Sequence, residues 1–321
     1  MAAPAIARAA TAATSPLTLG CTVTAAYPKA AKSAIQASPS AAAATRIGSR
    51  RLRARENTAM AAVSQALVEF ANHFRQPAAP GIEVIDTPRY TVTLQPDYPI
   101  PGPNSIGWVR CRAAEADDVI REARAIVAPH RLGVNWILDP ETQPADFAVH
   151  LARHGVDFES EVAVMVLPIE SVIDNPEVKG LQMHDAMADP VAFRNADAVN
   201  SEAFESPPRD GGALERRRAN QLSAGNRRVL LATVDGEPAG SAGLTMFPPV
   251  AAIINGGAVR PKFRGRGVYR ALLAARLEMA REAGVGGLAV WGGAMSAPIL
   301  ARLGFETVGW RRFYLDTSAV D

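Results

Sequence analysis

The segment KFRGRGVYRALL, residues 262–273, places four cationic side chains and two glycines directly before a run of helical character. Backbone N–H groups at a helix start have no intrahelical partner, and the helix dipole adds partial positive charge there. Glycines let a bound anion approach such a backbone closely. Arg264 and Arg266 add guanidinium groups, which suit diphosphate geometry, with Lys262 and Arg270 beside them. The segment therefore predicts a site for an anionic ligand that contains a pyrophosphate.

Two common nucleotide-binding motifs do not fit this segment. A P-loop needs Gly-Lys-Ser/Thr after four intervening residues, whereas Val268 and Tyr269 follow the second glycine. A dinucleotide-binding fingerprint needs three spaced glycines and a later acidic residue, and neither is present. On the segment alone, the alternative to an anion site is a solvated basic turn that caps a core helix.

Helices and strands alternate around the segment, which predicts an α/β or α+β sheet. Strands are expected at 106–112, 134–138, 162–168, 250–259, 287–293 and 310–315, and a hairpin at Asp235-Gly236-Glu237-Pro238. Helices are expected at 61–74, 116–127, 146–154, 191–204, 213–224, 268–283 and 297–303. The Pro-rich residues 76–105 are interpreted as connections with short strands such as 90–94. The glycine pair Gly256 and Gly257 suggests a bulge, or a point where another molecule approaches the backbone.

The second half of the chain contains, in order, a hairpin, a strand with a glycine pair, the Arg-Gly-x-Gly loop, a long helix, a strand and the segment Ser-Ala-Pro-Ile-Leu-x-x-Leu-Gly-Phe. This order resembles the GNAT superfamily of acyl-CoA-dependent N-acyltransferases. The resemblance covers residues 178–314. It implies a mixed central sheet flanked by helices, and a pyrophosphate loop of the form Arg/Gln-x-x-Gly-x-Gly/Ala. Arg264, Gly267 and Tyr269 occupy the three defining positions, and Tyr269 departs from the pattern because a small residue is usual there.

The resemblance also implies how the site is built. Backbone amides of Ala258 and Val259 would polarise a thioester carbonyl, and the pantetheine arm would lie where this strand diverges from residues 287–291. The co-substrate is expected to be acetyl-CoA, with no metal, and the acceptor a small-molecule or peptide amine. The expected acetyl-CoA contacts are Val259, Arg264, Gly265, Arg266, Gly267, Val268, Tyr269 and Ser296.

Proton transfer is the part of the mechanism that the sequence leaves open. Many superfamily members carry a tyrosine where this chain has Leu300, and often a glutamate where it has Asn255. Tyr269 and Ser296 are the candidate proton donors. Ser296 is also suited to cap a helix, and Tyr269 to pack. Candidate bases acting through water are Glu202, Glu205 and His184. The alternative function is a non-catalytic module that binds acyl-CoA without turnover.

A sequence echo suggests an internal duplication. LARHGV at 151–156 matches LARLGF at 300–305, and each precedes a strand. Helix ends of this form also arise by chance, because glycine takes the left-handed cap. We expect residues 60–175 to be a degenerate GNAT-like half that lacks the loop, and 176–321 to be the N-acetyltransferase domain.

Residues 1–59 are expected to lie outside the fold. Residues 1–55 contain eight Lys or Arg and no acidic residue, which leaves 26 basic and 32 acidic residues in the rest of the chain. This composition fits a transit peptide, an unstructured tail, or sequence upstream of a true start at Met60. The location is accordingly expected to be the cytoplasm, or an organelle if the segment is a transit peptide.

Composition also narrows the class of protein. The mild acidity of the remaining chain argues against a nucleic-acid binder. No apolar run approaches the length of a membrane span. Cys21, Cys111 and the histidines match no metal-ligand spacing, and two isolated thiols suit a reducing compartment. We therefore expect no nucleic acid, membrane or metal as a partner.

Overall fold

The computed structural model describes residues 63–320, apart from Glu205, Pro207 and Pro208. The expected leader segment, 1–59, lies outside the described residues. Within the described ranges the chain forms eleven strands. They are β1 (Glu83–Asp86), β2 (Thr91–Leu94), β3 (Ser105–Gly107), β4 (Val134–Leu138), β5 (Asp157–Pro168), β6 (Leu181–Asp185), β7 (Arg227–Val234), β8 (Glu237–Phe247), β9 (Ala251–Val259), β10 (Gly287–Gly292) and β11 (Glu306–Asp316).

The same part of the chain forms seven α-helices. They are α1 (Gln65–His73), α2 (Ala116–Val127), α3 (Phe147–Arg153), α4 (Pro190–Ala203), α5 (Gly211–Ala224), α6 (Val268–Glu282) and α7 (Ala297–Arg302). Start signals explain several of them: Ser64 caps α1 by accepting from the Leu67 N–H, and Asp189 caps α4 ahead of Pro190. None of the helices in the described residues is long and apolar enough to cross a bilayer.

All eleven strands belong to one mixed sheet, which confirms the predicted fold class. The order is β1-β2-β3-β4-β11-β5-β10-β9-β8-β7-β6. Most neighbours are antiparallel, and the parallel pairs are β3 with β4 and β9 with β10. At the centre, β11 lies between β4 and β5, and β5 pairs with β10. The final strand of the chain therefore lies between two strands, β4 and β5, that come much earlier in the sequence.

Helices cover both faces of the sheet, because alternate strand residues point to opposite sides. In β7, Val229 and Leu231 pack in a cluster with α4, whereas Leu230 and Ala232 pack with Leu272 of α6. In β9 and β10, one set of side chains packs under α1 and the other under α6 and α7. We call these the α4 face, which also carries α1, and the α6 face.

Two sequence expectations differ from the structure in the N-terminal part of the sheet. The Pro-rich residues 76–105 were expected to be connections with short strands such as 90–94, which is β2, but they also supply β1 and begin β3. The strand expected at 106–112 ends at Gly107, because Trp108 has a left-handed φ of 55° that breaks the extended backbone. The edge strand β6 was not predicted, because its alternation of apolar and polar residues extends over only the four residues 181–184.

The pairing of β9 and β10 is short. Their parallel register joins only Leu288 to Ala252 and Ala289 to Ile253, after which the two strands separate. On its other side, β9 stays paired with β8, but the register shifts between Ser241 and Gly243, opposite the pair Gly256 and Gly257. Gly256 has a φ of 56°. This is the bulge that the glycine pair suggested, and it lies where β9 leaves β10.

Asp316, at the end of β11, joins the long-range elements of the N-terminal part. Its buried carboxylate accepts from Arg124 Nε at 2.8 Å, from Trp136 Nε1 at 3.0 Å and from the Ser318 hydroxyl at 2.7 Å. Burial raises the pKa of Asp316, but the hydrogen bonds outweigh it and hold the pKa below the usual range. The group thus links α2, β4 and β11 as a charged, hydrogen-bonded centre.

We expect Asp316→Asn to destabilise the fold by about 3 kcal/mol, because it leaves the Arg124 guanidinium without its carboxylate in a buried setting. Urea unfolding followed by circular dichroism measures the change. Asp118→Asn is the matched control: Asp118 is exposed and pairs only with Arg121 one turn along α2, so its loss is expected to cost less than about 0.5 kcal/mol.

The destabilisation also has a pH dependence. A carboxylate with a lowered folded-state pKa stabilises the protein above its unfolded pKa, and this contribution is lost as the pH falls through the folded pKa. The difference in the free energy of unfolding between wild type and Asp316→Asn should be constant above about pH 5 and should become smaller as the pH is lowered below that value. Equal stability of the two proteins at pH 7 would contradict this role.

Candidate anion loop and cavity

The loop before α6 has a backbone suited to an anion. A 3₁₀ turn (Pro261–Phe263) is followed by Gly265 and Gly267 with φ values of 74° and 90°, and α6 begins at Val268 with no side-chain cap. The backbone N–H groups of residues 265–269 donate to no acceptor in the described part of the protein. Five adjacent free donors at a helix start form a ready site for phosphate oxygens.

The four cations of the loop differ in their partners. Lys262 pairs with Glu237, and Arg270 with Asp174, whose carboxylate lies 3.1 Å from it. Arg264 donates from Nε to the Val259 carbonyl at 3.2 Å, and the Arg266 guanidinium lies over the Phe263 ring. Neither Arg264 nor Arg266 contacts a carboxylate among the described residues. These two arginines therefore carry the uncompensated charge of the loop.

The loop opens into a cavity of about 1680 Å³ that passes through the gap between β9 and β10. On the α6 face it is lined by residues 263–270, Arg276 and Leu303. On the α4 face it is lined by Phe70, Phe74, Arg227 and Phe247, among others. One continuous space thus has access to both faces of the sheet, which is the arrangement that a reaction between two ligands requires.

The charges around this cavity have one sign. Its lining includes six arginines and, among the residues that the structure describes, no aspartate or glutamate. The six are Arg227, Arg264, Arg266, Arg270, Arg276 and Arg302. Low-dielectric walls lined by charge of one sign concentrate ligands of the opposite sign. The cavity is therefore suited to anionic ligands on both faces.

Ala258 and Val259, the two residues expected to supply backbone donors, both line the cavity. The β8–β9 ladder distinguishes them. Arg260 donates to the Ala239 carbonyl of β8, so alternation along an antiparallel ladder points the Ala258 N–H to Ser241 and the Val259 N–H away from β8. The Val259 carbonyl, which accepts from Arg264, has the same outward direction. The ladder leaves the Val259 N–H free to face the gap.

Tyr269, the residue that departs from the family pattern, packs against the bulge. A Cβ atom on Gly257 would lie 3.2 Å from Tyr269 Cε2 and 3.5 Å from Arg276 Nη2, so the absence of a side chain at Gly257 makes room for the tyrosine ring. Arg276 is almost fully buried, and its Nη2 has no partner. Burial lowers the pKa of the Arg276 guanidinium, an effect that the adjacent Tyr269 hydroxyl opposes. Tyr269 thus presents its hydroxyl beside a buried cation.

The opposite wall of the gap carries Ser296 and Leu300. The Ser296 hydroxyl points back to the Gly293 carbonyl at 3.4 Å and does not cap α7. Leu300, where a tyrosine is common in the superfamily, is buried and lines the cavity. Trp291 also lines the cavity and is 38% exposed. Tyr269 and Ser296 are therefore brought to the same cavity from different elements.

The two candidate bases that the structure describes do not join them. Glu202 is exposed and pairs with Arg260, and His184 lies on the edge strand β6 beside the Thr233 hydroxyl; neither lines the cavity. Glu205 lies outside the described residues. The residues that the sequence did not indicate are Arg227, Thr245 and Arg276: each is separated from the loop in sequence and no motif marks it.

Comparisons with known proteins agree with this geometry. Residues 196–305 match the model of the acetyltransferase (GNAT) family. Among solved structures, the chain is similar to a GCN5-related N-acetyltransferase from Kribbella flavida, with 17% identity over 74% of this chain and 90% of that chain, and a TM-score of 0.56. A GCN5-related N-acetyltransferase from Sphaerobacter thermophilus gives 18% identity over 72% and 82% of the two chains, with a TM-score of 0.53.

A third similar structure is a tandem GNAT protein from the clavulanic acid biosynthesis pathway, with 16% identity, coverage of 74% of this chain and 84% of that chain, and a TM-score of 0.50. At these identities the structural matches establish the fold alone. No curated protein matches the chain. The chain therefore has the GNAT fold, and residues 196–305 form a domain of the acetyltransferase (GNAT) family, as the loop and its frame predicted.

The loop gives a direct prediction. We expect Arg264→Ala to weaken CoA binding about 10-fold or more, because it removes an uncompensated charge and its hydrogen bonds to phosphate. Isothermal titration calorimetry with CoA measures the change. Lys262→Ala is the matched control in the same loop, since Lys262 already pairs with Glu237, and we expect its effect to be less than about threefold.

Gly267 is a poorer test than the sequence suggests. Its φ of 90° disfavours any side chain, and a Cβ there would lie 2.8 Å from Pro176 Cγ. Gly267→Asp would thus strain the backbone as well as block the site, so loss of binding and loss of folding would occur together. Equal CoA affinity for wild type and Arg264→Ala, with both proteins folded, would show that the loop is only structural.

Proposed function

We propose that this protein is an acyl-CoA-dependent N-acyltransferase that moves an acetyl group from acetyl-CoA directly to an amine of a small molecule or peptide. The observation that carries the proposal is the row of free backbone N–H groups at 265–269, flanked by two arginines without carboxylate partners. Few ligands other than a diphosphate satisfy so many adjacent donors at once. Membership of residues 196–305 in the acetyltransferase (GNAT) family supports the same assignment.

The chain fits acetyl-CoA at each part of that molecule. The N–H groups of 265–269, with Arg264 and Arg266, would hold the diphosphate. The gap between β9 and β10 offers an extended channel for the pantetheine arm, with unpaired strand backbone on one side. When bound, acetyl-CoA supplies a thioester carbonyl that a neutral amine can attack. The Val259 N–H, which points into the gap, is the donor suited to polarise the oxygen of that carbonyl.

The transfer requires few groups from the protein. A C–N bond forms between the amine and the acyl carbon, the C–S bond breaks, the amine loses one proton and the departing sulfur gains one. Tyr269 and Ser296 line the cavity with hydroxyl groups that can donate this proton. We favour Tyr269, because its ring packs against Gly257 at the bulge of β9, close to where this strand leaves β10.

Deprotonation of the amine does not call for a carboxylate base in this cavity. None lines the described part of it, and Asn255, at the position where a glutamate is common, cannot accept a proton at neutral pH. We therefore propose that the amine arrives neutral or loses its proton to water. The rate should then rise with pH until the amine reaches its own pKa.

We also propose the domain organisation of the chain: 60–175 as a degenerate GNAT-like half and 176–321 as the N-acetyltransferase domain. The arrangement of the sheet supports this. The N-terminal unit ends in the order β4, α3, β5, and the C-terminal unit ends in the order β10, α7, β11. The final strand of each unit pairs with a strand of the other unit: β5 with β10, and β11 with β4. Such a reciprocal exchange of final strands is expected of a duplicated unit. The N-terminal half carries no counterpart of the loop.

The second candidate function is an acyl-CoA-binding module without turnover. The specific observation in its favour is the pair Leu300 and Asn255, which places an apolar and a non-basic side chain where proton-handling groups are common in the superfamily. The two functions share the loop and differ in whether the thioester is broken.

A thermal-shift and thiol-release experiment distinguishes the two functions. We expect saturating acetyl-CoA to raise the melting temperature, because a ligand that binds only the native state stabilises it in proportion to the logarithm of its concentration over Kd. We further expect amine-dependent release of free thiol, measured with a chromogenic disulfide and a panel of primary amines. Tyr269→Phe should lower kcat at least about 10-fold with little change in acetyl-CoA affinity.

The possible results separate the proposals clearly. Stabilisation without thiol release for any amine would favour the binding module. No stabilisation at any acetyl-CoA concentration would contradict both. Release of thiol that does not depend on an amine would indicate hydrolysis and would contradict transfer to an amine.

A further inference from the structure

We propose that Arg227 and Asn255 form a subsite for an anionic group, a carboxylate or a phosphate, on the amine that accepts the acyl group. The inference rests on the acyl transfer proposed above and names a property of the acceptor. It concerns the α4 face of the cavity, on the side of the sheet away from the diphosphate loop.

The subsite is built by three neighbouring strands. Arg227 begins β7, pairs in register with Thr245 of β8, and shares the α4 face with Asn255 of β9. Gly243 lies beneath them. A Cβ atom on Gly243 would lie 2.1 Å from Asn255 Oδ1 and 3.2 Å from Arg227 Nη2, so the glycine provides the space in which the two side chains meet.

The hydrogen bonds of Arg227 are incomplete. Nη1 donates to the Thr245 hydroxyl at 3.2 Å and Nη2 to Asn255 Oδ1 at 3.0 Å, but the buried Nε has no partner. Both partners are neutral, and no carboxylate in the described residues pairs with Arg227. A cation taken out of water is ordinarily paired with an anion, because its desolvation is costly. Arg227 therefore lacks the anion that its position calls for.

The surrounding charges increase this deficit. Arg209 and Arg217 both pair with Asp197, so one carboxylate serves two guanidinium groups, and Arg217 lies close enough to Arg227 to repel it. Burial, and then repulsion from Arg217, lower the pKa of Arg227 to about 10. The Tyr98 ring stacks with the guanidinium groups of Arg209 and Arg217. Three arginines and one aspartate leave a local excess of positive charge.

Asn255 adds a second donor. Arg227 can only donate, so the atom of Asn255 that it contacts is the carbonyl oxygen, and the amide nitrogen is directed elsewhere. That nitrogen donates to no protein group in the described ranges, and Asn255 lines the cavity. The guanidinium and the amide thus offer N–H groups to the same space. Two such donors match the two oxygens of a carboxylate, or two oxygens of a phosphate.

This arrangement also argues against a cationic acceptor. Recognition of a polyamine or a lysine-rich peptide would need carboxylates, and none lines the described part of the cavity. The distance between the subsite and the transfer point can be estimated from the strand. Asn255 and Val259 are separated along β9 by about 10 Å at roughly 3.3 Å per residue, allowing for the bulge. An acceptor with several bonds between its amine and its anionic group would span this distance.

The test compares acids with their neutral amides as acceptors. The probes are 4-aminobutyrate and 6-aminohexanoate, their amides, and 3-aminopropyl phosphate as the phosphate arm. The neutral counterpart of the phosphate is 3-aminopropanol. For wild type, we expect kcat/KM to be about 10-fold or more higher for at least one anionic probe than for its neutral counterpart. In Arg227→Met this preference should fall to within about twofold, while kcat/KM for the neutral amines stays unchanged.

Arg228→Met is the matched control. Arg228 follows Arg227 on the same strand, but it donates to the Gly225 and Arg227 carbonyls and does not line the cavity. It should keep the wild-type preference. Asn255→Asp is the second variant, in case Arg227→Met folds poorly: an aspartate there would pair with Arg227 and neutralise it, and should abolish the preference for anions with the chain otherwise intact.

A binding readout separates this inference from the proposed function. Thermal shift with the same probes, at matched ionic strength and without acetyl-CoA, should show stabilisation by an anionic probe and not by its neutral counterpart in wild type, and by neither in Arg227→Met. If no amine is acetylated, the proposed transfer is contradicted, and the thermal shifts alone decide the subsite. Equal responses to every anionic probe and its neutral counterpart, or a preference that survives in both Arg227→Met and Asn255→Asp, would overturn the subsite.

Discussion

The separation of β9 from β10 is the constraint on which the rest of the site depends. Two parallel strands that pair over only two residues leave unpaired backbone in the middle of an otherwise continuous sheet. Unpaired buried backbone is costly unless a partner satisfies it. The bulge at Gly256 and Gly257 maintains the separation, because it turns β9 while its pairing with β8 continues. The cavity follows from this gap, and so does its access to both faces.

The gap also places positively charged groups of both faces of the sheet around one cavity. On the α6 face lie the free N–H groups of 265–269 and two arginines that have no carboxylate partner in the described ranges, and we propose that a diphosphate binds there. On the α4 face, Arg227 and Asn255 are positioned by β7 and β9 without a carboxylate. Between them lie Tyr269 and the buried Arg276. All of these groups line one cavity, which supports the proposal that two anionic reactants meet there, with Tyr269 as the proposed proton donor.

Sequence patterns gave a good account of the C-terminal half of the fold, because its signals are local. The glycine pair, the loop and the length of α6 are each specified by adjacent residues, and the structure agrees with them to within about two residues. The Pro-rich stretch was less predictable: β2 was expected at 90–94, but its hairpin partner β1 has only four residues, of which two are exposed. The insertion of β11 between β4 and β5 is likewise a long-range pairing that no local pattern reveals.

The same distinction applies to the site. Arg264 and Tyr269 were identifiable because they belong to one motif. Arg227 and Arg276 were not, since an arginine at the start of a strand or within a helix is usually a solvated surface residue. Only tertiary packing shows that these two are buried and lack carboxylates. The ion pairs of Lys262 and Arg270 could not be read from the sequence for the same reason: Glu237 and Asp174, which pair with them, are distant along the chain.

Amide hydrogen exchange at the loop tests the central claim most directly. The N–H groups of 265–269 have no protein acceptor, so they should exchange rapidly in the free protein. With saturating acetyl-CoA, the account predicts strong protection of peptides covering 265–269 and of the Val259 amide, with no change in α2. Unchanged exchange across the loop while acetyl-CoA is bound would contradict the assignment of this helix start as the diphosphate site.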